Sequence, residues 1–158
     1  MAAEFSIRSG VPADLPVLAG IYRRSSLSNA GDAKALRAHP EALVLGDTAL
    51  VEGRTRVATD ARDQIVGFAT LLPIADSFEL EDMFVDPDWM RHGIGRLLVH
   101  DAMAIARREN VARIDVEANP HAWSFYENVG FVHDGRVETP FGQGARMHLD
   151  IPPELNAG

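Results

Sequence analysis

The sequence predicts one α/β domain with about seven strands and about four helices. Segments of period-2 hydrophobicity alternate along the chain with segments of helical spacing, which is the pattern of an α/β protein. The chain contains no repeat, low-complexity segment or linker, and its 158 residues suit one domain with a substantial core. We therefore expect a single domain over residues 1–158, with a frayed tail at 153–158.

Seven segments carry strand patterns. In the first, Phe5 and Ile7 alternate with polar residues, and Gly10 and Pro12 end the pattern. The second and third surround a tight turn at residues 61–63, which predicts a hairpin. The predicted strands are Glu4–Arg8, Ala49–Asp60, Gln64–Leu72, Glu79–Val85, Ala112–Ala118, Phe131–Thr139 and Ala145–Ile151.

Four segments carry helical spacing. The first has Leu15, Leu18, Ala19 and Tyr22 on one face, and the last is closed by a glycine at the C′ position, Gly130. A polar loop over 25–32 separates the first two helices, and residues 41–45 are expected to add a helical turn. The predicted helices are Pro12–Arg24, Asp32–Ala38, Ile94–Asn110 and His121–Val129.

Composition narrows the functional class. The net charge of −8 disfavours general nucleic-acid binding and attracts cationic substrates, although it equally serves solubility. The absence of cysteine excludes disulfides, thiolate metal sites and a cysteine nucleophile. The histidines show no metal-binding spacing, so we expect no metal. Without an apolar run of membrane length or a signal-peptide pattern, we expect a cytoplasmic protein with no membrane contact.

The stretch Glu79–Ala106 carries the first functional signal. A predicted strand ends at Asp86-Pro87-Asp88, and a long amphipathic helix begins near Gly93 and Gly95. A helix N-terminus presents unpaired backbone N–H groups and the positive end of the helix dipole. This arrangement predicts a site for an anion such as a phosphate.

Two motifs resemble the GCN5-related N-acetyltransferase (GNAT) family. Residues 85–96, VDPDWMRHGIGR, are similar to the family's acetyl-CoA loop, Arg/Gln-x-x-Gly-x-Gly/Ala. Residues 119–131, NPHAWSFYENVGF, match its Asn-x-x-Ala-x-x-Phe-Tyr-x-x-x-Gly-Phe pattern at every fixed position. The resemblance covers about residues 63–151 well, and the first third only by element order. Met90 departs from the pattern, because the family usually has Arg or Gln there.

The resemblance implies a mixed, mostly antiparallel twisted sheet that splays between strands 4 and 5. It also implies acetyl-CoA as co-substrate, with the pantetheine arm along the backbone of Met83, Phe84 and Val85. Asn119 would contact that arm, and Tyr126 would contact the cofactor thiol. The pyrophosphate would bind the backbone amides at the helix start: Arg91, His92, Gly93, Ile94, Gly95 and Arg96.

Acyl transfer to an amine requires a proton acceptor and a proton donor. An alkylammonium has a pKa of about 10, so roughly one molecule in a thousand is the free amine at neutral pH. Glu79 and Glu81 lie on one face of the predicted strand and are candidate bases, whereas a bulge would favour Asp82. The alternative is that these carboxylates have no catalytic role and only form the solvent-exposed face of the strand. Tyr126 is the candidate acid for the departing thiolate, or else a packing residue of its helix.

The predicted function is transfer of an acetyl group to a primary amine of a small molecule or peptide through a ternary complex. Asn29, Glu81 and Phe141 are the candidate acceptor contacts. The alternative is a non-catalytic acyl-CoA sensor on the same fold. A Rossmann-type site does not fit the glycine spacing. Family members are often homodimers, but the sequence leaves the oligomeric state, the acceptor amine and the acyl chain preference open.

Overall fold

The computed structural model describes residues 4–28, 30–139 and 142–153, and the side chains of residues 30–32 are also outside the description. Its strands form a seven-stranded sheet in the order β1-β2-β3-β4-β5-β7-β6. The β4–β5 pair is parallel, and the pairs β1–β2, β2–β3, β5–β7 and β6–β7 are antiparallel, which confirms the predicted mixed sheet. The strands are β1 Ser6–Ser9, β2 Thr55–Thr59, β3 Ile65–Ile74, β4 Ser77–Val85, β5 Arg113–Ala118, β6 Val132–Thr139 and β7 Gly142–Asp150.

The described residues contain five α-helices, one more than predicted. Short 3₁₀ turns at 12–14, 40–43, 87–89 and 120–122 each begin with proline, whose fixed φ suits the first helical position. Within the described part of the chain, none of the helices is both long and apolar enough to cross a membrane. The α-helices are α1 Leu15–Ser28, α2 Ala30–Ala38, α3 Thr48–Val51, α4 Ile94–Arg108 and α5 Trp123–Asn128.

Two sequence predictions in the first third of the chain were wrong. The expected polar loop over 25–32 is mostly helix, because α1 continues to Ser28 and α2 starts at Ala30. Ser28 donates its hydroxyl to the carbonyl of Ser25, 2.7 Å away, so the serines bond within the helix instead of ending it. The expected strand from Ala49 begins only at Thr55, because α3 occupies 48–51 and the chain turns at Gly53, whose φ is +73°.

The chain packs as two compact units, and the single domain predicted from the sequence stays a prediction. The first unit comprises the chain up to Thr70 together with residues 82–98. Leu18 and Ile21, three positions apart on α1, are buried in one cluster with Leu50, Val57 and Phe68. This cluster fixes α1 over β2 and β3.

Gly67 sets how closely α4 approaches the sheet within the first unit. A Cβ atom at this position would lie 3.0 Å from Cγ2 of Ile94 and 3.0 Å from the carbonyl oxygen of Phe84. Leu98, one turn further along α4, would be 3.5 Å away. The glycine on β3 therefore allows the first turn of α4 to lie directly on the sheet.

The second unit comprises residues 71–81 and the chain from Val99 onward. Its centre is the parallel pairing of residues 78–80 on β4 with 114–116 on β5, while β5 also pairs with β7 along its whole length. β4 continues to Val85 and β5 to Ala118. The buried apolar residues of this unit include Phe78, Leu80, Val99, Ala102, Ile114, Val116, Phe131 and Met147.

We predict that Gly67→Ala destabilises the protein by roughly 1–3 kcal/mol, because the new methyl group overpacks a contact with Ile94 and backbone. Gly46→Ala is the matched control, since a Cβ there meets no atom within 4 Å. That change should leave the free energy of unfolding unchanged or raise it by roughly 0.4–1 kcal/mol. Urea unfolding measures both, and equal stability of the two variants would contradict the close approach.

Candidate active site

Asp86 fixes the loop between β4 and α4. The residue is buried, at 9% exposure, and its side chain accepts two hydrogen bonds. Oδ1 accepts the backbone N–H of Asp88 at 3.0 Å, and Oδ2 accepts Nη2 of Arg24 at 2.8 Å. The backbone N–H of Asp86 donates to the carbonyl of Val66 at 2.8 Å. One residue therefore connects the loop to α1 and to β3.

An aromatic cluster holds the middle of the same loop. The ring of Trp89 makes edge contacts with Phe5 at 5.7 Å and with His92 at 5.3 Å between centroids. Phe5 and His92 are 6.4 Å apart. Met90, the residue that departs from the family pattern, is 57% exposed. The frame of the loop rests on Asp86 and this cluster, and not on the side chain at position 90.

The backbone from Arg91 to Arg96, which was predicted to bind an anion, leads directly into α4. Arg91 and Gly93 both adopt left-handed backbone, with φ of +67° and +79°. α4 follows at once, and its first backbone bond runs from Leu97 N–H to the Gly93 carbonyl at 3.1 Å. The N–H groups before that bond have no partner inside the helix. Together with the helix dipole and the exposed Arg91 and Arg96, they favour an anion here.

At Phe84, near the end of β4, the side chain packs inward, so a ligand could contact only the backbone of this residue. The Phe84 ring packs edge-on against Tyr22 at 4.9 Å and lies 5.7 Å from Phe68, so its side chain belongs to the core of the first unit. Tyr22 in turn donates its hydroxyl to the Ala42 carbonyl at 2.6 Å. A ligand that meets residue 84 would therefore meet its backbone N–H or C=O.

Asp82 carries the carboxylate nearest to this core. Its Oδ2 accepts the hydroxyl of Thr70 at 2.8 Å. Burial raises the pKa of the Tyr22 hydroxyl, and the charge of Asp82 raises it further. Asp82 was expected to matter only if a bulge shifted the strand, whereas the structure already places it beside buried partners.

Glu79 is engaged in a bidentate ion pair within the second unit. Nη1 and Nη2 of Arg146 donate to its two carboxylate oxygens at 2.8 and 3.0 Å, and the Glu79 side chain is 18% exposed. The hydrogen bond to Glu79 raises the pKa of Arg146. Phe78 and Leu80 are buried, while Glu79 and the exposed Glu81 occupy the alternate positions of the strand.

Asn119 and α5 form a compact corner at the end of β5. The Asn119 carbonyl accepts the Ala122 N–H at 2.9 Å, and the indole N–H of Trp123 donates to the Ala118 carbonyl at 2.8 Å. These bonds satisfy the last carbonyl of the strand and start the helix that carries Tyr126. Gly130 ends that helix with φ of +111°, as its C′ position predicted.

Tyr126 lies at the centre of a buried aromatic group. It is 6% exposed, and its ring centroid is 5.2 Å from those of Phe125 and Phe131. Burial raises the pKa of its hydroxyl well above the ordinary value. The phenol is therefore protonated at neutral pH.

The predicted site residues fall in both units. The first unit holds the anion loop, Arg91–Arg96, and the proposed cofactor strand, Met83–Val85; the second holds Glu79, Glu81, Asn119 and Tyr126. Asn29 and Phe141, the predicted acceptor contacts, lie outside the described residues. Within 4–28, 30–139 and 142–153, no cluster of three or more His, Asp or Glu could hold a metal ion.

Four residues that shape the site escaped the sequence analysis: Arg24, Thr70, Asp86 and Arg146. A cap at Asp86 was detectable, because an acidic residue directly before proline is typical of a helical start. Arg24 and Arg146 pair with carboxylates 62 and 67 positions away, and no local pattern indicates such partners.

Comparison with known proteins defines the class as acetyltransferases. A model of the GNAT acetyltransferase domain matches residues 52–133. The chain also superposes on the PaiA N-acetyltransferase of Thermoplasma acidophilum in complex with coenzyme A, with a TM-score of 0.73, over 93% of this chain and 99% of that one. At 21% identity this second match shows the fold alone. The chain belongs to the GNAT family.

Two bacterial relatives share more of the sequence. The peptidyl-lysine N-acetyltransferase YjaB of Escherichia coli K12 is 38% identical over 89 residues, which are 56% of each protein. YjaB of Salmonella typhimurium is 35% identical over 127 residues, or 77% of this chain and 79% of that protein. The alignment thus spans little more than half of the first relative's length and most of the second's.

We predict that Asp86→Ala lowers the free energy of unfolding by roughly 1–3 kcal/mol, because it leaves the Asp88 N–H and Arg24 without their acceptor. Asp88→Ala removes an exposed carboxylate two residues away and should change stability by less than about 0.5 kcal/mol. Urea unfolding compares them. A similar loss in both variants would show that Asp86 is not the anchor of the loop.

Proposed function

We propose that this protein is an acetyl-CoA-dependent N-acetyltransferase that moves an acetyl group to a primary amine of a small molecule or peptide. The observation that carries this proposal is the backbone at the start of α4, with left-handed residues at Arg91 and Gly93 in the loop that connects β4 to α4. Family membership supports the same conclusion independently. Transfer is direct, in a ternary complex of protein, acetyl-CoA and amine.

The donor groups of the loop fit the co-substrate. The amides of residues 91–96 would bind the pyrophosphate of acetyl-CoA, since a helix N-terminus with left-handed residues before it favours phosphate oxygens. The backbone of Met83–Val85 would pair with the peptide-like pantetheine arm as an added strand does. Asn119 would contact the same arm. Acetyl-CoA supplies the acyl thioester, and the proposed reaction uses no metal.

Glu81 is the better candidate base of the two glutamates. Both oxygens of Glu79 accept hydrogen bonds from Arg146, so both are already engaged by a guanidinium. Glu81 is exposed on the same strand face. In the proposed step the amine nitrogen bonds to the carbonyl carbon and the C–S bond breaks. Before the C–N bond forms, the ammonium gives one proton to Glu81 and becomes the free amine. The departing thiolate takes the Tyr126 proton, and the second proton of the nitrogen returns to the Tyr126 oxygen as the amide forms.

The acceptor is a cationic amine in this proposal. The net charge of −8 attracts such a substrate, and the two YjaB relatives are named for action on peptidyl-lysine. A lysine side chain of a peptide is therefore the first acceptor to test. Contacts of Asn29 and Phe141 with the acceptor, a cytoplasmic location and a homodimer remain part of the proposal.

The direct test is release of free thiol when the purified protein is incubated with acetyl-CoA and a panel of lysine peptides, amino acids and diamines. Turnover above the uncatalysed rate on at least one amine is the expected result. Saturable acetyl-CoA binding without transfer to any amine would replace the proposal with the acyl-CoA sensor.

We predict that Glu81→Gln lowers kcat at pH 7 by roughly 10²- to 10⁴-fold, the usual contribution of a general base. The defect should shrink about tenfold for each pH unit toward the amine's own pKa, because a free amine no longer needs a base. Glu109→Gln, an exposed glutamate after α4, is the charge-matched control. A defect of constant size from pH 7 to pH 10 would assign Glu81 another role.

We predict that Tyr126→Phe lowers kcat by roughly 10²-fold or more and leaves KM for acetyl-CoA within about twofold, because only the acid is removed. Since burial raises the Tyr126 pKa, the wild-type enzyme should show no alkaline loss of rate from this phenol up to about pH 10. Steady-state rates across pH measure both effects. A proportionate rise in KM would make Tyr126 a binding residue only.

A further inference from the structure

A small cavity lies inside the first unit, beneath α1. It measures ≈ 20 Å³, and Leu18, Leu50 and Phe68 contribute to its apolar wall. Three polar residues interrupt that wall, one from each of three strands: Thr55 of β2, Thr70 of β3 and Asp82 of β4. Polar groups from separate strands at one small cavity make it different from an accidental packing defect.

Thr55 carries the observation that requires an explanation. The residue is 1% exposed, and among the described residues its hydroxyl Oγ1 is the buried side-chain atom that finds no hydrogen-bond partner. A buried hydroxyl without a partner loses its hydration and gains nothing in return, which is rare in native proteins. The Thr70 hydroxyl donates to Oδ2 of Asp82 at 2.8 Å and makes no hydrogen bond with Thr55.

The volume of the cavity and its polar residues limit which molecule it can hold. A cavity needs roughly 10–15 Å³ to hold one water molecule, and that water needs two or more polar partners. A volume of ≈ 20 Å³ therefore admits one water. Water can accept the Thr55 hydroxyl and donate to the Asp82 carboxylate, which can accept several hydrogen bonds, so it satisfies Thr55.

We propose that this cavity is a built site for one ordered water, which bridges Thr55 Oγ1 to the Asp82 carboxylate. With the direct bond from Thr70, the water joins β2, β3 and β4 through a single side chain. Asp82 directly precedes Met83–Val85, the strand segment along which acetyl-CoA would lie. Asp82 is thus a positioning residue for that segment, a consequence that rests on the proposed function, whereas the water site itself does not.

The first test compares two buried threonines of β2. Thr59→Val is the reference, because the Thr59 hydroxyl donates to the Ser6 carbonyl at 3.4 Å and is lost on substitution. Thr55→Val should likewise lower Tm, by roughly 2–4 °C, because the bridge is lost, and Thr55→Ser should stay near wild type. If the hydroxyl has no partner, Thr55→Val will instead raise Tm, and the water site is overturned.

A high-resolution crystal structure tests the occupant directly. A peak within hydrogen-bonding distance of both Thr55 Oγ1 and Asp82 supports a water, while no peak, or a peak with the coordination of a sodium ion, refutes it.

Kinetics test the positioning role: Thr55→Val should raise KM for acetyl-CoA several-fold and leave kcat nearly unchanged. An unchanged KM in a protein that does turn over overturns that role, while the Tm and density results stand whether or not acetyl transfer occurs.

Discussion

The hydrogen bonds of the Asp86 carboxylate are the constraint on which the anion loop depends. They join the Asp88 N–H of the loop and the Arg24 guanidinium of α1 at one buried group, next to the bond from the Asp86 N–H to Val66. Gly67, the next residue on β3, allows Ile94 to lie against the sheet. The start of α4 is thus fixed from both sides. Because helix N–H groups bind an anion only where their direction is set, this small network underlies the proposed chemistry.

The carboxylates of β4 divide into different roles according to their partners. Glu79 is held by Arg146, Asp82 is held by Thr70, and Glu81 is exposed on the strand face. The bidentate pair with arginine fixes both oxygens of Glu79. Proximity in sequence therefore does not make these three groups equivalent. They differ in exposure and in the distant segments that Glu79 and Asp82 contact.

The sequence was sufficient for the sheet, the long helix and both family motifs, because each leaves a local signature. The alternation of Phe78 and Leu80 with glutamates, and Gly130 after α5, are examples. The serines after Arg24 misled the prediction, since their local preference for loops lost to the packing of α1. The contacts that hold the loop could not be predicted from the sequence either. Met90 departs from the family pattern, but the Phe5–Trp89–His92 cluster and Asp86 hold the loop without it. Contacts between residues far apart in sequence have no local signal.

Backbone amide shifts in ¹⁵N-labelled protein titrated with coenzyme A test the central claim most directly, because they report the binding site residue by residue without requiring an acceptor. If the start of α4 binds the pyrophosphate, the largest saturable shifts will come from Arg91–Arg96, and dephosphorylated pantetheine will fail to produce them. Shifts confined to other segments, or identical shifts with pantetheine alone, would contradict the account.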